Sequence, residues 1–445
     1  MRTGVDPAYQ RSCCLVVTSQ ENVESFAGQV MVLATTNLLS RWCRNVDIIV
    51  SDAPLHPRLR ILGYTWLLER VLDEMHGANP FGSFSCVTNP RSAYDAAVKI
   101  GGGSCPCKVD CTIDSEGWDL FVASGDYSFN TPHRSLNPCG PVGAASVGVA
   151  QLFKRVTHQQ QDLWISSLQF SFFNFSSTIS IEAGAPHTDP AGTVDLARSL
   201  MVGVGMIGSS ALYVLHMLPL TGYLELVDHD LVRIENLNRT PMLRYDMQGL
   251  PKAEVGMQYL QSSGLQVGAY AGTFDNYLNE RGRSPNKTDL LFPLADEYDV
   301  RRTIENNYPP MMIYGTTTSD WGANFGRHIP FKEDCLLCRY PPQLIQPKMP
   351  CGEGTITIQN QKTTVSVALP FVPLFSATMM VAEILKLQLD QYPCNENFVF
   401  ADLKGTLKVI DHRKRSPKPQ CTCNRRHRNV FKELNGETRF AHLSD

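Results

Sequence analysis

The stretch Leu200-Met201-Val202-Gly203-Val204-Gly205-Met206-Ile207-Gly208 constrains this 445-residue chain more than any other. An apolar strand runs into three glycines at GxGxxG spacing, and an apolar helix reads from Ser209 to Met217. Gly203 allows the tight turn, Gly205 lets backbone approach a phosphate, and Gly208 lets helix and strand pack closely. The helix N-terminus offers unpaired N–H groups and a positive dipole to an anion. A second strand, Tyr223 to Val227, ends in Asp228, twenty residues past Gly208 and placed to hold a ribose hydroxyl. Together these features predict an adenine nucleotide at the edge of a parallel sheet, without saying which nucleotide.

The next residues bear on that choice. Asp228-His229-Asp230-Leu231-Val232-Arg233-Ile234-Glu235-Asn236-Leu237-Asn238-Arg239 leaves the strand, and Lys252 follows in Pro-Lys-Ala-Glu. A hydride-transfer enzyme needs no cluster of Arg and Lys beyond its pyrophosphate. An enzyme acting on a triphosphate does, because cations stabilise charge on transferring phosphoryl groups. A nicotinamide (NAD)-dependent oxidoreductase is the competing class, since GxGxxG plus Asp228 alone would allow it.

The pattern Asp-x-Asp, then Asn-Leu-Asn-Arg, then Lys252 resembles the ThiF/MoeB/E1 superfamily of ubiquitin-like-protein activating enzymes over residues 198 to about 424. The resemblance implies that Asp228 and Asp230 belong to the nucleotide site, with Asp228 on the ribose. Asn236 and Arg239 would contact the phosphates and Lys252 would neutralise them. Asp289-Leu290-Leu291-Phe292 through Asp296 to Arg301 resembles a further family element, in which Asp296 is the magnesium-linked acid. The family's Thr-Asp-Asn is Ala295-Asp296-Glu297 in this chain. The implied activity is adenylation, with ATP and magnesium, of the C-terminal glycine of a ubiquitin-like protein. Arg239, Lys252 and Asp296 would serve catalysis.

Fourteen cysteines stand out in a chain whose first twenty residues lack the apolar core of a signal peptide. That combination points to a reducing, cytoplasmic compartment with thiols kept for metal or catalysis. Cys335-Leu-Leu-Cys338 and Cys421-Thr-Cys423 can converge on a tetrahedral zinc site, with His427 a substitute ligand for the tighter second pair. The redox reading of CxxC wants a thioredoxin-like strand-to-helix position, which the surrounding sequence lacks. Cys351 lies in a Pro- and Gly-rich loop 13 residues after Cys338. In ThiF/MoeB-like proteins a cysteine in this place carries the thioester or sulfur, so the resemblance assigns Cys351 as the nucleophile, against an ordinary loop cysteine. Lys99 to Cys111, with three glycines and three cysteines, reads as an insertion.

In the first half, Val30–Ala34, Val46–Val50, Ser83–Val87 and Trp118–Ala123 read as strands, with helices at Asn37–Arg44 and Tyr64–His76. Alternating apolar strands and helices argue for a sheet covered on both faces. Val30–Ala34 parallels Leu200–Val202, Val46–Asp52 parallels Leu224–Asp230, and Trp118–Gly125 parallels Asp289–Asp296. Ala34-Thr35-Thr36-Asn37-Leu38-Leu39 then replaces the glycine loop. The expected fold is therefore α/β, two Rossmann-like doubly wound sheets, parallel or mixed, with a structural zinc site. Residues 1–195 would be an inactive adenylation half. Residues 196–445 would be the active half, carrying the cysteine loop and the Cys₄ site. An arginine ahead of the first strand should reach the ATP from the inactive copy, and Arg11 is the candidate.

Net charge is −3 from 40 basic and 43 acidic residues, which argues against a dedicated nucleic-acid binder. The eight Lys and Arg between 413 and 432 read as a solvated run or as a docking face for an acidic partner. The uncharged run between Lys362 and Glu383 contains Pro370 and Pro373 and reads as strand, turn and helix, not as a membrane span. Implied partners are a ubiquitin-like protein ending in glycine, an E2-like conjugating enzyme and a second copy as a homodimer. The shape is similar to compact E1-like proteins of bacterial ubiquitination-like operons, some linked to antiviral defence. Sulfur-carrier adenylation, of thiamine or molybdopterin type, is the alternative within the same chemistry.

Overall fold

The computed structural model describes residues 13–61, 63–103, 105, 107–158, 161–179, 188–190, 192–281, 288–341, 355–358, 363–366, 369–393, 396–407 and 409–444. The first half runs β1 (Cys13–Thr18), α1 (Gln20–Val23), α2 (Phe26–Ser40), β2 (Asn45–Ile49), α3 (Leu67–Ala78), β3 (Ser83–Cys86), β4 (Ala96–Ile100), β5 (Cys111–Glu116), β6 (Asp119–Ser124), α4 (Cys139–Val156), β7 (Ser167–Ser171) and β8 (Ser176–Thr178). The second continues with β9 (Val194–Val202), α5 (Met206–Leu215), β10 (Leu220–Val227), α6 (Lys252–Leu260), β11 (Gln266–Tyr270), α7 (Phe274–Arg281), β12 (Leu290–Pro293), α8 (Tyr298–Asn306), β13 (Met311–Thr317) and β14 (Gly322–His328). After these come α9 (Leu336–Arg339), β15 (Thr355–Ile358), β16 (Thr363–Ser366), α10 (Phe371–Lys386), β17 (Phe398–Asp402), β18 (Val409–Arg413) and α11 (Arg428–Asn435).

The halves are two writings of one sheet. The first has strand order β3-β2-β1-β4-β5-β6-β7-β8, and the second β11-β10-β9-β12-β13-β14-β17-β18. In each, the first five strands of that order are parallel and the last three antiparallel. Strands β15 and β16 form a separate ribbon. Every residue of β1 is buried, as befits a central strand with helices on both faces.

Helices join the two sheets. α4 packs on α2 and on α10, and α10 packs on α5, so one continuous apolar core runs through both halves. Phe153 of α4 meets Trp42, Trp321 and Phe371 at ring-centroid distances of 5.1, 5.4 and 5.9 Å. Phe375 of α10 meets Phe170 and Phe172 of the first half. No helix among the described residues is long and apolar enough to cross a membrane, and the uncharged run ends as α10 inside this core.

The duplication stands, with a different alignment. Val30–Ala34 is not a strand, and Ala34–Leu39 does not replace the glycine loop; both lie inside α2. The first strand is Cys13–Thr18, and the place of the glycine loop is the turn into α2, where Ser25 accepts the Gly28 N–H. All fifteen residues of α2 are buried, so it has no polar face and its sequence shows no helical period. Asp119–Ser124 is a strand, but its counterpart is β14; β4 holds the place of β12.

Candidate active site

The carboxyl ends of β9, β10, β12 and β13 open on one cavity of about 670 Å³. Ligands of open α/β sheets bind at such an edge. Gly203 turns the chain there with φ of 103°; a Cβ on it would lie 2.7 Å from the Ala295 nitrogen. A Cβ on Gly208 would lie 2.3 Å from the Gly203 carbonyl oxygen, so the helix rests directly on the turn. Gly205, the extended residue capping α5, has no atom within 4 Å of its would-be Cβ. Bare backbone thus faces the cavity at the start of a ten-residue helix.

Asp228 closes the turn. Its carboxylate accepts the Val204 N–H at 2.6 Å and the Asp230 N–H at 2.8 Å. Burial pushes its carboxyl up, against these bonds and the Lys252 charge. Lys252 is buried and donates to Asp230 Oδ2 at 2.7 Å. Burial also raises the Asp230 carboxyl, but this bond and charge outweigh it and hold the group below its ordinary range. Asp228, His229 and Asp230 each offer an atom within 4.8 Å of the others, a group able to hold a cation. Asn236 is buried, and its Oδ1 accepts the Arg233 N–H at 2.9 Å. Its carbonyl accepts from Thr240 Oγ1 at 2.6 Å, folding the chain so that Asn236, Arg239 and Thr240 all line the cavity.

Asp296 also lines the cavity, exposed at the end of β12, outside the Asp228 group. Of the residues picked from the sequence, Gly203, Gly205, Asp228, Asp230, Asn236, Arg239, Lys252 and Asp296 meet at one opening, with Gly208 behind the turn. Arg11 and Cys351 lie outside the described residues. The far wall had no role in the sequence reading: Thr316 Oγ1 on β13 accepts from Asn324 Nδ2 on β14 at 2.9 Å and lies 2.9 Å from the Tyr340 hydroxyl. Its one sequence signal was the polar run Thr316–Thr318 at the carboxyl end of an apolar strand.

The Sγ atoms of Cys335, Cys338, Cys421 and Cys423 all lie within 4.8 Å of one another. Cys335 is 3.5 Å from Cys421, and Cys338 is 3.5 Å from Cys423. Thiolates about 2.3 Å from a tetrahedral zinc stand roughly 3.8 Å apart, so the cluster fits zinc. His427 is not a member of it. In the basic segment, Arg426 donates to Glu305, while Arg415 and Arg428 lie over Phe398 and Phe331, so part of the run is structural.

Residues 188–423 match the ThiF family model, just over half of the chain, and the protein belongs to the ThiF family, within the ThiF/MoeB/E1-like superfamily. Residues 14–167 match the model of the BilD N-terminal domain. "Uncharacterized protein y4jF" of Sinorhizobium fredii is 27% identical over 265 residues, covering 57% of this chain and 48% of that protein. The chain thus spans about half the length of this curated relative. The crystal structure of E. coli MccB is similar at 19% identity and a TM-score of 0.39, covering 51% of this chain and 65% of that one.

Proposed function

We propose that this ThiF-family protein is an E1-like activating enzyme for a ubiquitin-like protein. Support comes chiefly from one observation: an open glycine turn, the Asp228 carboxylate and the cations Arg239, Lys252 and Arg301 share a single cavity. That set suits a nucleotide whose phosphates carry developing charge. The terminal glycine carboxylate of the substrate would attack the α-phosphorus of ATP, breaking its bond to the bridging oxygen and releasing pyrophosphate. Gly205 would present backbone to the phosphates, Asp228 would accept from the ribose, and Asn236, Arg239 and Lys252 would hold the pyrophosphate side. Bound magnesium would neutralise phosphate charge, with Asp296 as its carboxylate donor on this reading. The Cys351 thiolate would attack the acyl-adenylate carbonyl, releasing AMP and leaving a thioester for an E2-like enzyme. Cys335, Cys338, Cys421 and Cys423 would hold structural zinc, and Arg11 would approach the ATP from the first half.

The division into an inactive half, 1–195, and an active half, 196–445, belongs to the same proposal. The BilD N-terminal match supports a place among the activating enzymes of bacterial ubiquitination-like operons. The test is ATP–pyrophosphate exchange with a ubiquitin-like protein ending in glycine. Exchange that needs the carrier, and a thiol-labile conjugate lost in Cys351→Ala, are expected. NADH binding without carrier-dependent exchange would overturn the reading.

A further inference from the structure

Arg41 belongs to the first half but spends its guanidinium on the second. It is the C-cap of α2 and is buried. Its Nη atoms donate to three backbone carbonyls of the other half: Leu237, Pro241 at 2.6 Å and Leu243 at 3.2 Å. Those carbonyls belong to the chain that folds back from Asn236, the same turn that puts Asn236, Arg239 and Thr240 on the cavity. Buried carbonyls need donors, and one charged fork here serves three.

The fork is itself aimed. Its Nε donates to Asn37 Oδ1 at 2.8 Å, while Asn37 Nδ2 donates to the Pro241 carbonyl at 3.1 Å and to Glu74 Oε2 at 3.0 Å. Burial pushes the guanidinium down to about 10, with Glu74 opposing, so it stays charged at neutral pH. The second half has an equivalent position, the C-cap of α5, and it holds His216. His216 Nε2 lies 3.0 Å from Arg70 of α3, so each C-cap reaches across to the opposite half. Only the Arg41 side carries cavity-lining residues on the chain it grips.

We infer that Arg41 is a positioning residue, through which the first half sets the Asn236–Arg239 turn for nucleotide phosphates. The inference rests on the proposed nucleotide site.

The test uses full-length protein and titrates ATP with magnesium by calorimetry, with Tm read alongside. Arg41→Met should raise Kd about tenfold, equivalent to about 1.4 kcal/mol. Arg41→Lys, one compact ammonium in place of the fork, should fall between wild type and Arg41→Met. Phe170→Leu loosens the same seam, against Phe375 and away from Arg41, and should lower Tm with Kd unchanged. If Arg41→Met does not fold, Arg41→Lys decides, with faster amide exchange at Arg239 and Leu243 expected. Unchanged Kd in both Arg41 variants, or a matching Kd rise in Phe170→Leu, would overturn the role. A wild-type chain that binds no ATP would overturn the nucleotide reading, and this inference with it.

Discussion

Two alanine substitutions three residues apart should act oppositely on stability while both weaken nucleotide binding. At Gly208 a Cβ would stand 2.3 Å from the Gly203 carbonyl oxygen; reaching even 3.0 Å needs a shift of 3.0 − 2.3 = 0.7 Å, against backbone. Overpacking of this kind costs about 1–3 kcal/mol. At roughly 2–4 °C per kcal/mol for a unit of 150–250 residues, Tm should drop by several degrees. Moving the turn by most of an ångström should also cost on the order of a hundredfold in nucleotide-dependent activity. At Gly205 the backbone is extended, with φ of −72°, and nothing lies within 4 Å of the added carbon. Gly205→Ala should therefore hold or raise Tm, by up to about 1 kcal/mol through loss of unfolded-state freedom. Its methyl would occupy the space meant for a phosphate, so ATP affinity should still fall at least about tenfold. Thermal melts and calorimetric titration of ATP with magnesium read both effects. Gly205→Ala protein that binds ATP like wild type would refute the claim that this backbone faces the phosphates.

Purified protein should carry one zinc per chain by elemental analysis, and Cys421→Ser should lose it, since a structural site rarely survives the loss of one of its four thiolates. Arg327 is buried against Glu333 and Glu383, so Arg327→Met should destabilise by about 3–5 kcal/mol in melts, leaving carboxylates unpaired in the core. Burial raises the Glu383 carboxyl, but Lys386 and Arg327 outweigh it and hold the group at about 2. Its folded value lies below its unfolded one, so its stabilisation is present above about pH 4.5 and is lost as pH falls toward 2. Tm against pH should steepen in that window, and Glu383→Gln should flatten it.

The shared cavity of the glycine turn, Asp228 and Lys252 is legible in sequence because its signals are local: three glycines, an acid at the next strand end and a lysine soon after. The four-cysteine cluster is legible as two short pairs, although 86 residues separate Cys335 from Cys421. Val30–Ala34 was misread because α2 is buried on every side, and a short apolar run without period fits strand and helix equally. Arg41 was not readable at all. Its carbonyl partners lie 196 to 202 residues away and present no side chain to pattern. Tyr340 joins the cavity through its hydrogen bond to Thr316, 24 residues earlier, which no spacing encodes.

The duplicated sheet order also changes what each surface must satisfy. A symmetric dimer of one polypeptide writes every interface residue twice, so any choice must suit both sides of its own axis. Here the two matching C-caps are separate positions of one chain, and they hold different residues, Arg41 and His216. On the proposed reading, one chain with two copies lets one serve as a fixed support while the other keeps the chemistry. Substitutions at the seam can be tuned on one side alone, and a variant that improves the Arg41 face carries no mirrored penalty at the His216 face.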